Sequence, residues 1–198
     1  MKAMRKLLFT LALAVLSQVS FGQAVNDQAI IPVSVTLNSI LRLTVVSGGN
    51  IDFVVNTIDQ YTSGINSGGG DARWQTNFTV SSSQDFDVTL QAEDATLFGQ
   101  DDPGHTMLLN NIGFDLTGSG GGPANWALPG DVLPLTNGPQ SIVTGLAGAS
   151  AGDATQNNFT IQWRLGTRED AMNVSSLLAQ SLTPDRYITN VFLELVPK

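Results

Sequence analysis

Apolar and polar residues alternate along most of this chain, and such a period of two is typical of half-buried β-strands. The alternation is clearest in three stretches, where four or five apolar residues occupy every second position: residues 29–37, 86–92 and 159–165. Shorter stretches of similar character lie at residues 41–45, 51–55, 74–80, 112–116 and 187–195. Short strands separated by clusters of turn residues predict an antiparallel β-sandwich.

Little in the pattern predicts helix. Residues 168–180 are the best helical candidate, but their apolar positions do not follow a period of 3.6. Three glycine-rich stretches, residues 63–71, 117–123 and 145–152, are predicted to be long loops, which often carry function in a compact domain. We therefore expect an all-β fold with long glycine-rich loops.

The first 22 residues have the character of an export signal. Three positive charges at Lys2, Arg5 and Lys6 precede an apolar run at residues 7–16, which is too short to span a bilayer comfortably. Small residues, Ser20 and Gly22, then predict cleavage before Gln23. The remaining 176 residues, 23–198, suffice for a single β-sandwich domain that works outside the cell or at its surface, after transit through the periplasm.

The composition of residues 23–198 narrows the function further. Six basic and 17 acidic residues give this part of the chain a net charge of −11. Nucleic acids and anionic membrane surfaces require a basic patch, so neither is an expected partner. The chain has no cysteine, so stability must come from packing, a bound ion or neighbouring subunits rather than from disulfides. No cofactor is predicted, and no membrane insertion after signal removal.

A family resemblance is carried by the end of the chain, residues 182–187 (LTPDRY) followed by 191–197 (VFLELVP). These stretches resemble the close of WxL-type and spore-coat-U-like bacterial surface β-sandwiches, which often end in a proline or glycine turn, a tyrosine and an alternating strand. Residues 77–82 (NFTVSS) and 86–92 (FDVTLQA) are similar to the paired strands in the middle of such domains. The resemblance implies an immunoglobulin-like or pilin-like sandwich, a cell-surface or appendage role and no enzymatic activity.

The alternating stretch at residues 29–37 lies only a few residues after the predicted cleavage site. Its apolar face is formed by Ala29, Ile31, Val33, Val35 and Leu37. This face could add a strand to an incomplete sheet of a neighbouring subunit, or the stretch could be the first strand of its own sandwich. Pro32 is compatible with both alternatives, because proline is tolerated at sheet edges and strand starts.

The three tryptophans divide into two groups. Trp74 and Trp163 are in phase with other apolar residues and are predicted to lie in the core. Trp126 lies in a stretch rich in glycine and proline, so its ring is a possible ligand-loop residue that stacks on a sugar. The alternative is that the Trp126 ring attaches its loop to the domain.

Candidate chemistry is sparse. The acidic stretch at residues 100–105 (QDDPGH), the pair Glu93 and Asp94, and the pair Asp85 and Asp87 could offer oxygen ligands to calcium, but their spacing matches no EF-hand loop. Solvated acidic turns are the alternative, and no metal site is predicted.

Catalytic groups are equally scarce. His105 is the one histidine, and the sequence has no Gly-x-Ser-x-Gly nucleophile motif. A pair of carboxylates for glycoside hydrolysis, such as Glu93 and Glu169, depends on geometry that a sequence does not give. We therefore expect no enzyme.

These observations lead to a hypothesis of an exported structural protein, a subunit of a surface filament, pilus-like fibre or coat assembled by β-strand addition. The expected partners are copies of itself or other surface proteins. The alternative is a surface module, similar to an adhesin, that binds carbohydrate or protein.

Overall fold

The computed structural model describes residues 30–66 and 71–198. The predicted export signal, Ala29 and part of the predicted loop at residues 63–71 lie outside the described residues. The chain divides into two units, Met1–Leu37 and Asn38–Lys198. In the first unit, residues 30–37 form neither helix nor strand, so the predicted strand at residues 29–37 is not formed within the chain where it is described.

The second unit is a β domain whose strands are short and numerous. Its strands are β1 Leu41–Ser47, β2 Ile65–Asn66, β3 Gln75–Ser82, β4 Phe86–Ala92, β5 Thr96–Gly99, β6 Thr106–Leu108, β7 Ile112–Gly120, β8 Trp126–Ala127, β9 Leu133–Pro134, β10 Gln140–Gly145, β11 Asn157–Leu165, β12 Tyr187–Ile188 and β13 Val191–Pro197. One α-helix, α1, covers Ile58–Ser63, and 3₁₀ turns cover Ala72–Trp74, Leu109–Asn111, Gly122–Ala124 and Leu178–Gln180.

The strands form three antiparallel sheets. The first has the order β1-β3-β11-β7-β9, with β2 also paired to β11, and the second has the order β13-β4-β10-β8. A small third sheet has the order β12-β5-β6. Strand β1 therefore forms one edge of the first sheet, and β13 forms one edge of the second.

The core lies between the two larger sheets. Exposure alternates strictly along β3, β4 and β11, as the sequence pattern predicts for strands with one buried face. Phe78 and Phe159 of the first sheet and Phe86 and Leu90 of the second are fully buried in one hydrophobic cluster. The predicted all-β, sandwich-like fold is therefore confirmed.

The weak helical candidate at residues 168–180 contains no α-helix, and Leu178–Gln180 form a single 3₁₀ turn. Two predicted boundaries are wrong. The predicted loop at residues 117–123 begins inside β7, which continues to Gly120. The predicted last strand is split into β12 and β13 at Thr189 and Asn190.

The short helix α1 also differs from the prediction, since no helix was expected there. It is stabilised by a capping box, in which Thr57 accepts from the Gln60 N–H while the Gln60 side chain accepts from the Thr57 N–H. The helix ends at Gly64, whose φ of +80° favours glycine. Residues 48–56 connect the end of β1 to this helix.

Candidate functional site

The two edge strands β1 and β13 lie beside each other, and the sandwich is open between them. In β1, the side chain of Val45 lies opposite Phe78 of β3 and therefore points to the interior. Phe78 is fully buried, yet Val45 is 44% exposed. An inward-facing valine that remains so exposed shows that nothing covers the interior at this edge among the described residues.

The same holds for β13. Val191 lies opposite the buried Ala92 of β4 but is 36% exposed, and Leu193 and Leu195 lie opposite fully buried residues but are only partly buried themselves. We call this surface the open side, and its inward-facing residues are Leu41, Leu43 and Val45 of β1 and Val191, Leu193 and Leu195 of β13.

The backbone of these residues also faces the opening. In β1, the hydrogen bond from the Ser83 N–H to the Ile40 carbonyl sets the phase of the ladder, so even-numbered residues bond to β3. In β13, the hydrogen bond from the Glu93 N–H to the Asn190 carbonyl likewise shows that even-numbered residues bond to β4. The inward-facing, odd-numbered residues therefore direct their N–H and C=O groups away from the sheets, without a strand partner in the described part of the chain.

The opposite side of the sandwich is closed. Trp126 of β8 is 5% exposed, and its ring packs edge-to-face on Phe159 at a centroid distance of 5.1 Å. The ring also covers Gly118 of β7, where a Cβ atom would collide with it. The expectation of an exposed Trp126 ring that stacks on a sugar is therefore wrong, and the alternative role, attachment to the domain, is the one observed.

The other two tryptophans belong to the interior as predicted. Trp163 is buried beside Phe114, and its Nε1 donates to Thr76 Oγ1 at 2.9 Å. Trp74 is only partly buried, but it packs against the core and stacks on Phe53 at a centroid distance of 5.7 Å.

A cleft of about 730 Å³ continues the open side at the end where β1 finishes and β13 begins. One wall is residues 48–55, and the other is residues 182–191. The apolar floor includes Leu97, Leu135 and Trp163. Clefts of this volume, with an apolar floor and a few polar groups, are common binding sites in proteins.

The wall at residues 48–55 has the side-chain alternation of a strand but lacks the backbone hydrogen bonds of a sheet. Ile51, Phe53 and Val55 pack against the core, whereas Asp52 and Val54 are exposed. Apart from the Asp52 carbonyl, which accepts from Trp74 Nε1, no backbone group of residues 51–55 has a hydrogen-bond partner among the described residues.

The other wall is fixed in place by Asp185. This carboxylate is shielded from solvent and accepts bonds from the N–H groups of Asp101 and Asp102, while His105 Nδ1 lies 2.9 Å from Asp185 Oδ2. The Asp101 N–H contributes most to lowering the pKa of Asp185 to about 2, helped by His105 and the Asp102 and Arg186 N–H groups and opposed by burial.

The predicted donor stretch belongs to the first unit, and Ala29 lies outside the described residues. Its other four apolar residues are strongly exposed, from 79% for Val35 to 90% for Leu37, with Ile31 and Val33 between these values. Such a row of exposed aliphatic side chains is unusual for the surface of a globular protein.

The acidic clusters act as local tethers. Asp102 accepts from the Gly104 N–H, and Asp85 accepts from the hydroxyl and N–H of Ser150. In the part of the chain that the structure describes, no group of three His, Asp or Glu side chains is arranged to hold a metal ion.

The carboxylates considered for glycoside hydrolysis have separate partners. Asn190 Nδ2 donates to Glu93 Oε2, while Arg164 donates to both oxygens of Glu169 from another sheet. No helix within residues 30–66 and 71–198 is long and apolar enough to cross a membrane.

No protein-family model matches this chain, and a search of curated proteins finds no match. The open side therefore has to be interpreted from its own geometry. Sequence reasoning predicted a donor stretch, which stays a prediction, and missed the open side, because the inward-facing residues of β1 and β13 show the same alternation as those of a covered strand. Pro197 is a weak signal for the edge, since its missing N–H falls on the side away from β4.

Proposed function

We propose that this protein is an exported, non-enzymatic structural subunit that assembles with copies of itself by β-strand addition. Residues 29–37 of one copy would enter the open side of the next. The observation that carries the proposal is that two adjacent edge strands leave their inward-facing side chains partly exposed, as in a sandwich that lacks one strand.

The greater part of the donor stretch, residues 31–37, matches β1 in length. Both have seven residues, so at about 3.3 Å per residue both span roughly 23 Å. The apolar side chains of the stretch occur at every second position, which is the spacing that one face of an added strand requires.

The position of Pro32 supports antiparallel addition to β1. Directly opposite residues of an antiparallel pair share a face, so inward-facing donor residues would bond the outward-directed backbone of Leu41, Leu43 and Val45. Pro32 lies in the other phase, where its missing N–H points away from β1 and costs no ladder bond. A parallel donor would place Pro32 on the bonding side.

The proposal includes export through cleavage after Gly22, and it takes support from the resemblance to bacterial surface β-sandwiches. N-terminal sequencing of the protein recovered from the cell surface should begin at Gln23. A chain that keeps residues 1–22 would contradict export by a cleaved signal. The carbohydrate-binding alternative is not carried forward, because its candidate ring, Trp126, is buried.

The sharpest test of assembly uses two adjacent residues on opposite faces of β1. Val45 lies opposite the buried Phe78 and faces the open side, whereas Thr44 lies opposite Thr79 and points outward. Val45→Asp places a carboxylate where the donor side chains enter and should prevent assembly, while Thr44→Asp should not. The measurement is the native particle mass by light scattering, with electron microscopy of the same samples.

Thermal unfolding of both variants checks that the domain still folds, since Val45 is only partly buried. Wild-type protein that remains a dispersed monomer over the whole concentration range would contradict the proposed function. Equal assembly of Val45→Asp and Thr44→Asp would show that subunits associate through another surface.

A further inference from the structure

The cleft is larger than strand addition along β1 requires. Antiparallel pairing of residues 31–37 with β1 uses the whole edge from Leu41 to Ser47. The cleft shares Val45, Val191 and Leu193 with the open side, but it extends beyond the end of β1, past Gly48 and Gly49, and its other lining residues lie outside β1 and β13. Its occupant therefore has to be a further part of the incoming chain or another molecule.

Chain direction decides which part of the incoming chain reaches the cleft. β1 runs toward the cleft, because Val45 near its end lines the cleft. A strand antiparallel to β1 therefore runs away from the cleft, and its amino-terminal end lies over it. The carboxyl-terminal end of the donor stretch lies at the other end of β1. This end leads into the folded domain of its own copy, which follows from Asn38 onward, so it must remain outside the acceptor.

The wall at residues 51–55 is suited to receive a strand. Its side chains already pack against the core, and its backbone groups have no strand partner among the described residues. A chain that continues along β1 past its end meets this wall next. Main-chain hydrogen bonds to such a segment give affinity without demanding a particular sequence.

The sequence before Ile30 has one charge on the inward phase. Counting back from Ile31, the inward positions of an added strand would be Ala29, Asp27 and Val25, so a carboxylate would enter the cleft. Burying an unpaired carboxylate is costly, so this strand register is tolerated only if a cationic side chain lies next to the carboxylate. Arg186 is the one basic residue among the described residues that line the cleft.

Arg186 is available for a new partner. It is 62% exposed, and its Nη2 atom lies 4.0 Å from Asp52 Oδ1, which is the limit for an ion pair. The other acid in the cleft wall, Asp185, already accepts four hydrogen bonds from its own domain. An incoming Asp27 can therefore replace or join Asp52 without breaking a strong contact.

We propose that the cleft receives residues 25–29 of the incoming copy, with Asp27 paired to Arg186 and Val25 and Ala29 packed on the cleft floor. This inference rests on the proposed function. It adds the site that accepts the amino-terminal end of the incoming segment and the charge pair that makes this site specific.

A charge-swap experiment tests the pair in the full chain. Asp27→Arg and Arg186→Glu should each weaken assembly at least about tenfold, because each leaves two like charges in the cleft. The double variant restores opposite charges and should assemble within about threefold of the wild type. Additive losses in the double variant, with wild-type protein that still assembles, would overturn this inference and leave the proposed function standing.

Cysteine pairs give a second readout, because the natural chain has no cysteine. Asp27→Cys combined with Arg186→Cys should yield a ladder of disulfide-linked multimers under oxidation. Asp27→Cys with Val174→Cys, at a strongly exposed site outside the cleft lining, serves as the control and should not.

A disulfide within single chains would show that the segment binds its own domain, which overturns the inference. Absence of multimer links in material that assembles normally would overturn it as well. If the wild-type protein does not assemble at all, both this inference and the proposed function are wrong.

Discussion

Truncation of Val33 tests the donor stretch without touching the folded domain. Val33 is 84% exposed in the first unit, so its replacement removes no core contact. If the Val33 side chain is buried in the open side of the next copy, Val33→Ala removes two buried methyl groups. At about 0.8 kcal/mol per group, the loss is about 1.6 kcal/mol. This corresponds to a roughly 15-fold weaker subunit contact.

The assay is the protein concentration at which half of the subunits are assembled, measured by sedimentation or light scattering. Val33→Ala should raise this concentration by roughly the same 15-fold factor. Val33→Asp should prevent assembly, because it also buries a carboxylate among aliphatic side chains. Thermal unfolding should be unchanged in both variants, which separates a contact effect from a folding effect.

Ser34 provides the matched control. It is adjacent to Val33 but lies in the other phase, so Ser34→Ala and Ser34→Asp should assemble close to the wild type. Equal increases of the half-assembly concentration for Val33→Ala and Ser34→Ala would refute the reasoning, because strand addition requires that the inward-facing side chains provide most of the binding free energy. Normal assembly of Val33→Asp would refute it as well.

Three further predictions concern the donor backbone, the closed side and the cleft wall. Ser34→Pro should be tolerated like Pro32, because the N–H of residue 34 points away from β1. Val35→Pro should weaken assembly far more than Val35→Ala, because the Val35 N–H faces β1. The half-assembly concentration measures both effects. Trp126→Ala should lower the free energy of unfolding by about 3–5 kcal/mol in urea titrations, as for a buried aromatic residue, rather than alter glycan binding. The low pKa of Asp185 means that its carboxylate stabilises the fold above pH 3.8 and that this contribution disappears as the pH falls toward 2. Asp185→Asn should therefore lower the melting temperature at neutral pH, and its difference from the wild type should shrink across that acidic range.

The central strands could be predicted from the sequence because burial differs sharply between their two faces. In β4, Phe86, Val88 and Leu90 are fully buried while Asp87 and Thr89 between them are not. A period of two is then visible without any knowledge of the partner strands. The same physical cause made the all-β fold predictable although many of the short strands were not.

The open side could not be predicted in this way. Whether Val45 is covered depends on which strands end each sheet, and β1 pairs with a strand that begins about 30 residues later in the chain. Such non-local pairing cannot be recognised in the local sequence, because an inward-facing valine is apolar whether or not another strand covers it. The donor stretch stays a prediction, drawn from an alternation that occurs before any turn signal and beside the predicted cleavage site.

Helix α1 was missed, and the choice between two roles for Trp126 was left open, for local reasons. Glycine and proline around Trp126 suggested an exposed loop, but Gly118 provides the space that the ring fills. Helix α1 has only six residues, too few to establish a period of 3.6. Its capping box, Thr57 followed by Gln60, was the one sequence signal that could have revealed it.

The difference between the two sides of the sandwich has a consequence for the form of the assembly. Exposed strand edges promote uncontrolled association, and proteins usually shorten or block them. On the closed side, β8 and β9 have two residues each, and β9 includes Pro134. On the open side, β1 and β13 keep seven residues each. One donor stretch and one acceptor per copy make a head-to-tail contact, which adds subunits in a line unless its rotation closes a ring. On the closed side the Trp126 ring already fills the interior against Phe159, so the apolar face of a second donor finds no uncovered core there, and the proposed polymer should grow without branches.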